Sequence, residues 1–245
     1  LLMLAFALIA TLCILTIAAI SLGFFSSSIR KSATDNRIIT FNNVISYLST
    51  QVEKHTLSYN TAMAEAKGPH FNVSDSDIVV EFALRSFRAN VRSVLPLTID
   101  LYCGNSIGGL AGVMPRSGYS TGYTLFTSYA EPTLRDRYNF TTLENATISN
   151  VMVLENKDTI PNDDVFGYLY QSVTGVSVTD TPVWTPSYMS SGAVGFVFIT
   201  LFQTWRESNG DFIGFCASDI SVSSIGDFLY QESKKQGSVI VVVER

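Results

Sequence analysis

The chain has 245 residues, 47% of them hydrophobic and 15% charged, with a formal net charge of -5. Soluble domains average about 25% charged residues, so part of the deficit points to an apolar segment beyond an ordinary globular core. The acid excess, with no run of like charge longer than two residues, excludes a nucleic-acid-binding surface.

Leu1 to Phe25 carries no charge, and its only polar or flexible members are Thr11, Thr16, Ser21 and Gly23. About 20 such residues cross a bilayer as a helix. A cleaved signal peptide has an apolar region of only about 7–15 residues, so a transmembrane helix over 1–25 is the reading, with Cys13 inside it. Arg30-Lys31 follows, and by the positive-inside rule alone would hold the downstream part in the cytoplasm. The triplets Asn72-Val73-Ser74, Asn139-Phe140-Thr141 and Asn145-Ala146-Thr147 point the other way. Each fits the N-glycosylation acceptor, which belongs to an extracellular or lumenal domain. Residues 26–245 are therefore placed outside.

Residues 26–67 read as a long stalk helix. Ile38, Phe41, Ile45, Leu48 and Val52 recur at spacings of three or four, which makes an apolar stripe. It either packs on its own domain or pairs with a second copy of the chain, and a homodimer is expected. Gly68-Pro69 ends the helix. A second helix begins near Ser74 or Ser76, with Ile78, Phe82 and Val91 turned inward. Arg85, Arg88 and Arg92 share its solvated face.

From Val94 onward strands are expected at Leu97–Tyr102, Gly108–Val113 and Tyr123–Tyr129. Residues 138–164 are polar, hold two of the acceptor triplets, and read as loops around a short strand at Val151–Leu154. Gly195–Arg206 is a long run of Val, Ile, Thr and aromatics, a buried strand. Asn209-Gly210 suits a type I′ turn with φ > 0 at both central positions. Phe212–Ala217 is the return strand, and a helix capped by Ser218-Asp219 or Ser221 runs to Leu229. Residues 230–245 begin a further strand at Ser238–Val243.

The order Trp184-Thr185-Pro186-Ser187-Tyr188, strand, Asn209-Gly210, strand, Ser218-Asp219-Ile220-Ser221, helix resembles the membrane-distal module of double Cache sensor domains. The resemblance implies an α/β (α+β) fold with a PAS-like antiparallel sheet. The Cache module would cover 68–229, with a truncated second module from 230 to 245. It further implies an extracellular receptor domain that binds a small-molecule ligand, with Tyr170, Trp184, Tyr188 and Asp219 as candidate ligand-binding residues. Many such domains that bind amino acids carry R-x-W-Y ahead of the W-T-x-x-Y turn. Here that place is Gly167-Tyr168-Leu169-Tyr170, and only Tyr170 matches. Without the Arg a ligand carboxylate loses its bidentate partner, so amino-acid binding of that kind is not expected. A PAS-like sheet also sets its first and last strands side by side, which would bring Cys103 and Cys216 together. They are then either a disulfide or two buried thiols, decided by whether their Cα atoms lie within about 7 Å.

Other motifs fail on context. Gly118-Tyr119-Ser120-Thr121-Gly122 matches a hydrolase nucleophile elbow, but no apolar strand precedes it and both histidines lie upstream of Ser120. Asp75-Ser76-Asp77 lacks the Gly and Glu that a calcium loop requires. His55, read as a helix-surface residue, and His70, in a loop, give no metal spacing, so no metal and no cofactor is expected. The function read from the sequence is sensing, with transmission through the membrane to a cytoplasmic module; by the resemblance that module is a nucleotide cyclase, a histidine kinase or a chemotaxis module, the cyclase being favoured. A structural or dimerising ectodomain with a degenerate pocket is the alternative, and no nucleophile–base pair supports an enzyme.

Overall fold

The computed structural model describes residues 2–68, 70–94, 98–116, 122–154, 157–161, 181–185, 187–189 and 197–236. The chain divides into two units, residues 1–49 with 232–245 and residues 50–231.

Helix α1 is continuous over Leu2–Ala66. Among the described residues it is the one helix long and apolar enough, by length and composition, to cross a membrane. Thr34, Thr56 and Thr61 each donate their hydroxyl to the carbonyl four residues back, at 2.8–2.9 Å, so these polar residues sit in the helix without an unmet donor. In the first unit, Ile14, Leu15, Ile17, Ile20, Phe24 and Phe25 are exposed. The stripe read from the sequence is exposed as well, with Ile38 at 54%, Phe41 at 64% and Ile45 at 50%.

Among the described residues, the second unit is built on a nine-stranded antiparallel sheet. The strands are β1 (Thr98–Asn105), β2 (Leu110–Pro115), β3 (Tyr123–Thr127), β4 (Leu134–Phe140), β5 (Lys157–Pro161), β6 (Val183–Trp184), β7 (Tyr188–Met189), β8 (Val197–Arg206) and β9 (Phe212–Ser221). Their order is β5-β4-β3-β2-β1-β9-β8-β6, with β7 also paired to β8. Among the described residues the helices beside α1 are α2 (Ser76–Val94), α3 (Ile148–Val151) and α4 (Val222–Gln236). This is an α+β fold, as the residue pattern and the resemblance implied.

Side chains of register partners in an antiparallel pair share a face, and the two faces here differ. One carries Leu101, Cys103, Ala111, Val113, Leu125, Leu201 and Cys216. It packs against Tyr59, Ala62, Met63 and Ala66 of α1 and Val79, Val80, Ala83, Leu84 and Phe87 of α2 in the larger core. The α1 positions 55, 59, 62, 63 and 66 are buried at spacings of three and four, one helix face turned to the sheet. The other sheet face carries a smaller core of Tyr102, Leu110, Phe126, Phe202, Phe215 and Ala217. Gly112 makes that second core possible. A Cβ there would lie 2.3 Å from Tyr102 Cβ and 2.6 Å from Phe126 Cζ, so only glycine lets both rings cross β2.

Several local expectations change. The 138–164 region supplies the end of β4 and all of β5 in place of loops, and a helical turn, α3, replaces the start of the strand expected at Val151–Leu154. The charged composition hid these strands because long side chains cover rings. The Arg135 guanidinium lies 5.3 Å from the Phe126 centroid and Lys157 Nζ 5.4 Å from that of Tyr138. Cross-strand pairing then outweighs weak strand propensity. The β8–β9 turn is not type I′, since Gly210 alone has positive φ, at 91°. Gly210 N–H donates to Glu207 O at 2.9 Å and Glu207 N–H to Asp211 O at 2.8 Å, the pattern of a turn followed by a glycine bulge. Helix α4 continues past Leu229 to Gln236, because Gln231, Glu232, Lys234 and Lys235 favour helix. The expected strand at 238–243, Gly118–Thr121 and the motif position at Gly167–Tyr170 lie outside the described residues.

Candidate functional site

A row of buried polar residues crosses the three central strands on the sheet face opposite α1 and α2. Asp100 of β1, Asp219 of β9 and Thr200 of β8 are register partners, so their side chains stand side by side on the face that also carries Tyr102. Asp219 N–H donates to Asp100 Oδ1 at 3.1 Å. Asp219 Oδ1 accepts from Thr200 Oγ1 at 2.5 Å and from the Tyr102 hydroxyl at 3.2 Å. Tyr188, reaching in from β7, lies with its hydroxyl 2.8 Å from Thr200 Oγ1. The Thr185 segment is fixed to the same place, as Thr200 N–H donates to Thr185 Oγ1 at 3.0 Å and Thr185 N–H to Thr200 O at 2.8 Å.

Burial dominates the electrostatics of this row. Asp100 is 9% and Asp219 5% exposed. Loss of water raises the Asp219 pKa to about 6, against the lowering pull of the Thr200, Tyr102 and Tyr188 hydroxyls. Asp100 is pushed well above the ordinary carboxylate range, first by burial and then by the Asp219 charge; Arg135 offsets part of this. The Tyr102 and Tyr188 hydroxyls are raised by burial and by the neighbouring Asp219 charge. Two carboxylates so placed do not both ionise freely, and the site holds a proton or a cation more readily than an anion.

The structure brings Tyr188 and Asp219 into this row. Trp184 is elsewhere. Its register partner is Leu201, so it points to the helix-covered face, where its ring lies 5.6 Å from that of His55 and packs on the larger core. Four residues further along, Tyr188 pairs with Phe198 and stands on the opposite face, which spacing alone does not reveal. Tyr170 lies outside the described residues. Asp100, Tyr102 and Thr200 were missed. The available signal was a lone carboxylate within the apolar strand pattern of 97–102.

His55 is not a surface residue. It is 2% exposed, and desolvation lowers its pKa to about 4, with a raising contribution from the Ser218 backbone. Tyr59, one turn on, donates its hydroxyl to Cys216 O at 2.7 Å. Cys103 and Cys216 are register partners, bonded as a disulfide, with Cα atoms 3.9 Å apart.

The acceptor asparagines stand in different settings. Asn72 and Asn145 are exposed, Asn72 Oδ1 accepting Ser74 N–H at 3.0 Å. Asn139 stands within β4, and its Oδ1 accepts the Thr124 hydroxyl at 2.7 Å. Among the described residues no group of three His, Cys, Asp or Glu is placed to hold a metal ion.

No family model matches the chain, and no curated protein matches it. Two solved structures are similar. One is the sensory domain of the Campylobacter jejuni chemoreceptor Tlp3 (CcmL), at 11% identity and TM-score 0.47, covering 83% of this chain and 66% of that one. The other is an extracellular ligand binding receptor from Desulfohalobium retbaense DSM5692, at 13% identity and TM-score 0.42, covering 80% of this chain and 27% of that one. The chain therefore spans less than two thirds of either. The site described above rests on its own geometry.

Proposed function

We propose that this chain is the extracellular sensing part of a membrane receptor, binding a small molecule at the polar row of Asp219, Thr200, Tyr188 and Tyr102. The observation that carries the reading is Asp219. A buried carboxylate on the sheet face away from α1 and α2, ringed by three hydroxyls, is costly to structure alone and is placed to hold a hydrogen-bonding or cationic group. The apolar start of α1 supplies the membrane anchor, and its continuous helix supplies a path for a shift in position. The Cys103–Cys216 disulfide supports an oxidising compartment, with Asn72 and Asn145 as the acceptors for glycans. The exposed stripe Ile38, Phe41, Ile45 and Val52 supports a homodimer along α1. From the resemblance alone, the cytoplasmic output is a signalling module of the nucleotide cyclase, histidine kinase or chemotaxis class.

A thermal-shift screen of the chain in detergent against small metabolites tests this. A ligand at about 100 times its Kd stabilises a fold by roughly 2.7 kcal/mol. A hit lost in both Asp219→Asn and Tyr188→Phe, with each variant folded, is the expected result. One observation favours the alternative, a structural ectodomain: Asp219 Oδ1 already accepts two hydrogen bonds from within the fold. A silent screen with a well-folded protein decides for it.

A further inference from the structure

An open groove of about 560 Å³ lies at the junction of α1 and α2, on the helix side of the sheet and away from the Asp219 row. That volume lies within the roughly 300–1,000 Å³ of small-molecule sites. Its apolar surface comes from Ile78, Phe82, Phe71 and Ile148, with the Phe71 and Phe82 rings edge to face at 4.9 Å between centroids. Its charged surface comes from Glu65, Asp77, Glu81 and Arg85. Arg85 is taken, because its guanidinium bridges Glu65. Among the described residues no cation pairs with Asp77 or Glu81, so two carboxylates remain uncompensated beside an aromatic wall.

The backbone adds to the same sign. The groove meets the C-terminal end of α1, the negative end of that helix's dipole. At the facing N-terminus of α2 the positive end is already answered, since Asp75 Oδ1 accepts the N–H groups of Asp77 and Ile78 at 3.0 and 3.2 Å.

We propose that this groove binds a small ligand with one cationic head, an ammonium or guanidinium, on a flat apolar body. The head meets Asp77 and Glu81, and the body lies against Phe71 and Phe82. Such an occupant ties the last turn of α1 to the first turns of α2. The proposal does not depend on the sensing role given to Asp219.

The test is calorimetric titration of the full chain in detergent with 2-phenylethylammonium, 2-phenylethanol and 3-phenylpropionate. The ammonium alone is expected to bind, less tightly as salt rises. Asp77→Asn and Glu81→Gln should each weaken it by roughly fivefold, Glu81→Asp should retain most of the affinity, and Asp219→Asn should leave it unchanged. Equal binding of the alcohol, binding that persists in the Asp77→Asn/Glu81→Gln double variant, or no binding at all overturns the proposal. Loss in Asp219→Asn with retention in the double variant assigns the ammonium to the sheet row instead, which overturns this site while leaving the sensing reading intact.

Discussion

Asp100 and Asp219 face one another across the β1–β9 ladder, 119 residues apart in sequence, with the Asp219 N–H donating to Asp100 Oδ1 at 3.1 Å. Both carboxyls are buried, and the Asp219 charge adds to the burial that makes ionisation of Asp100 costly. The pair therefore links the protonation of the sheet to its stability.

The Asp219 pKa is raised from 3.8 to about 6. The folded state then binds a proton more readily than the unfolded chain between those values. Its contribution to stability is complete below about pH 4 and is lost as pH rises through 6, on the order of 3 kcal/mol. Asp219→Asn keeps an acceptor for Thr200 and Tyr102 and removes the charge. The variant should be stabilised relative to the parent at pH 8 and not at pH 4, read from melting temperatures across that range.

His55 runs in the opposite direction. Its pKa falls from 6.5 to about 4 on burial, so the folded state resists protonation. The stability this protects is full above about pH 6.5 and is lost as pH falls toward 4, again about 3 kcal/mol. His55→Gln should abolish that acid-side loss while leaving the change between pH 6.5 and 8 as in the parent. Denaturant midpoints at pH 4.5 and 7.5 measure it.

The disulfide closes a loop with a sequence separation of 113. Cross-links over such lengths stabilise by roughly 3–5 kcal/mol. The Cys103→Ser/Cys216→Ser double variant should lose an amount in that range. Peptide mapping without reductant should recover the two cysteines in one linked pair, and their burial at 0% exposure should block alkylation until the chain is unfolded.

Three glycines should respond differently to alanine. Gly112→Ala meets Tyr102 Cβ at 2.3 Å and the Leu101 carbonyl at 2.7 Å, and should cost roughly 1–3 kcal/mol or more. Gly210→Ala has open space but φ of +91°, and should cost about 1 kcal/mol. Gly226, in the interior of α4 with nothing within 4 Å, should gain about 0.5–1 kcal/mol. Chemical denaturation of the three variants gives the order.

What the sequence determined by itself were the features set by local pattern. The uncharged run to Phe25, the helix ending near Gly68, the apolar run of β8 and the turn at Asn209-Gly210 all follow from periodicity and backbone preference within about ten residues. Tyr188 and Asp219 were reached through a resemblance carried by such local stretches. Only the tertiary structure decided that Asp100 stands opposite Asp219, that Trp184 turns to His55 while Tyr188 turns to Thr200, and that the polar segments at 134–140 and 157–161 are strands. Each depends on pairing register, and a one-residue slip exchanges the two faces of a strand. The partners that fix that register lie outside any ten-residue window, and for Asp100 and Asp219 they come from the far end of the chain.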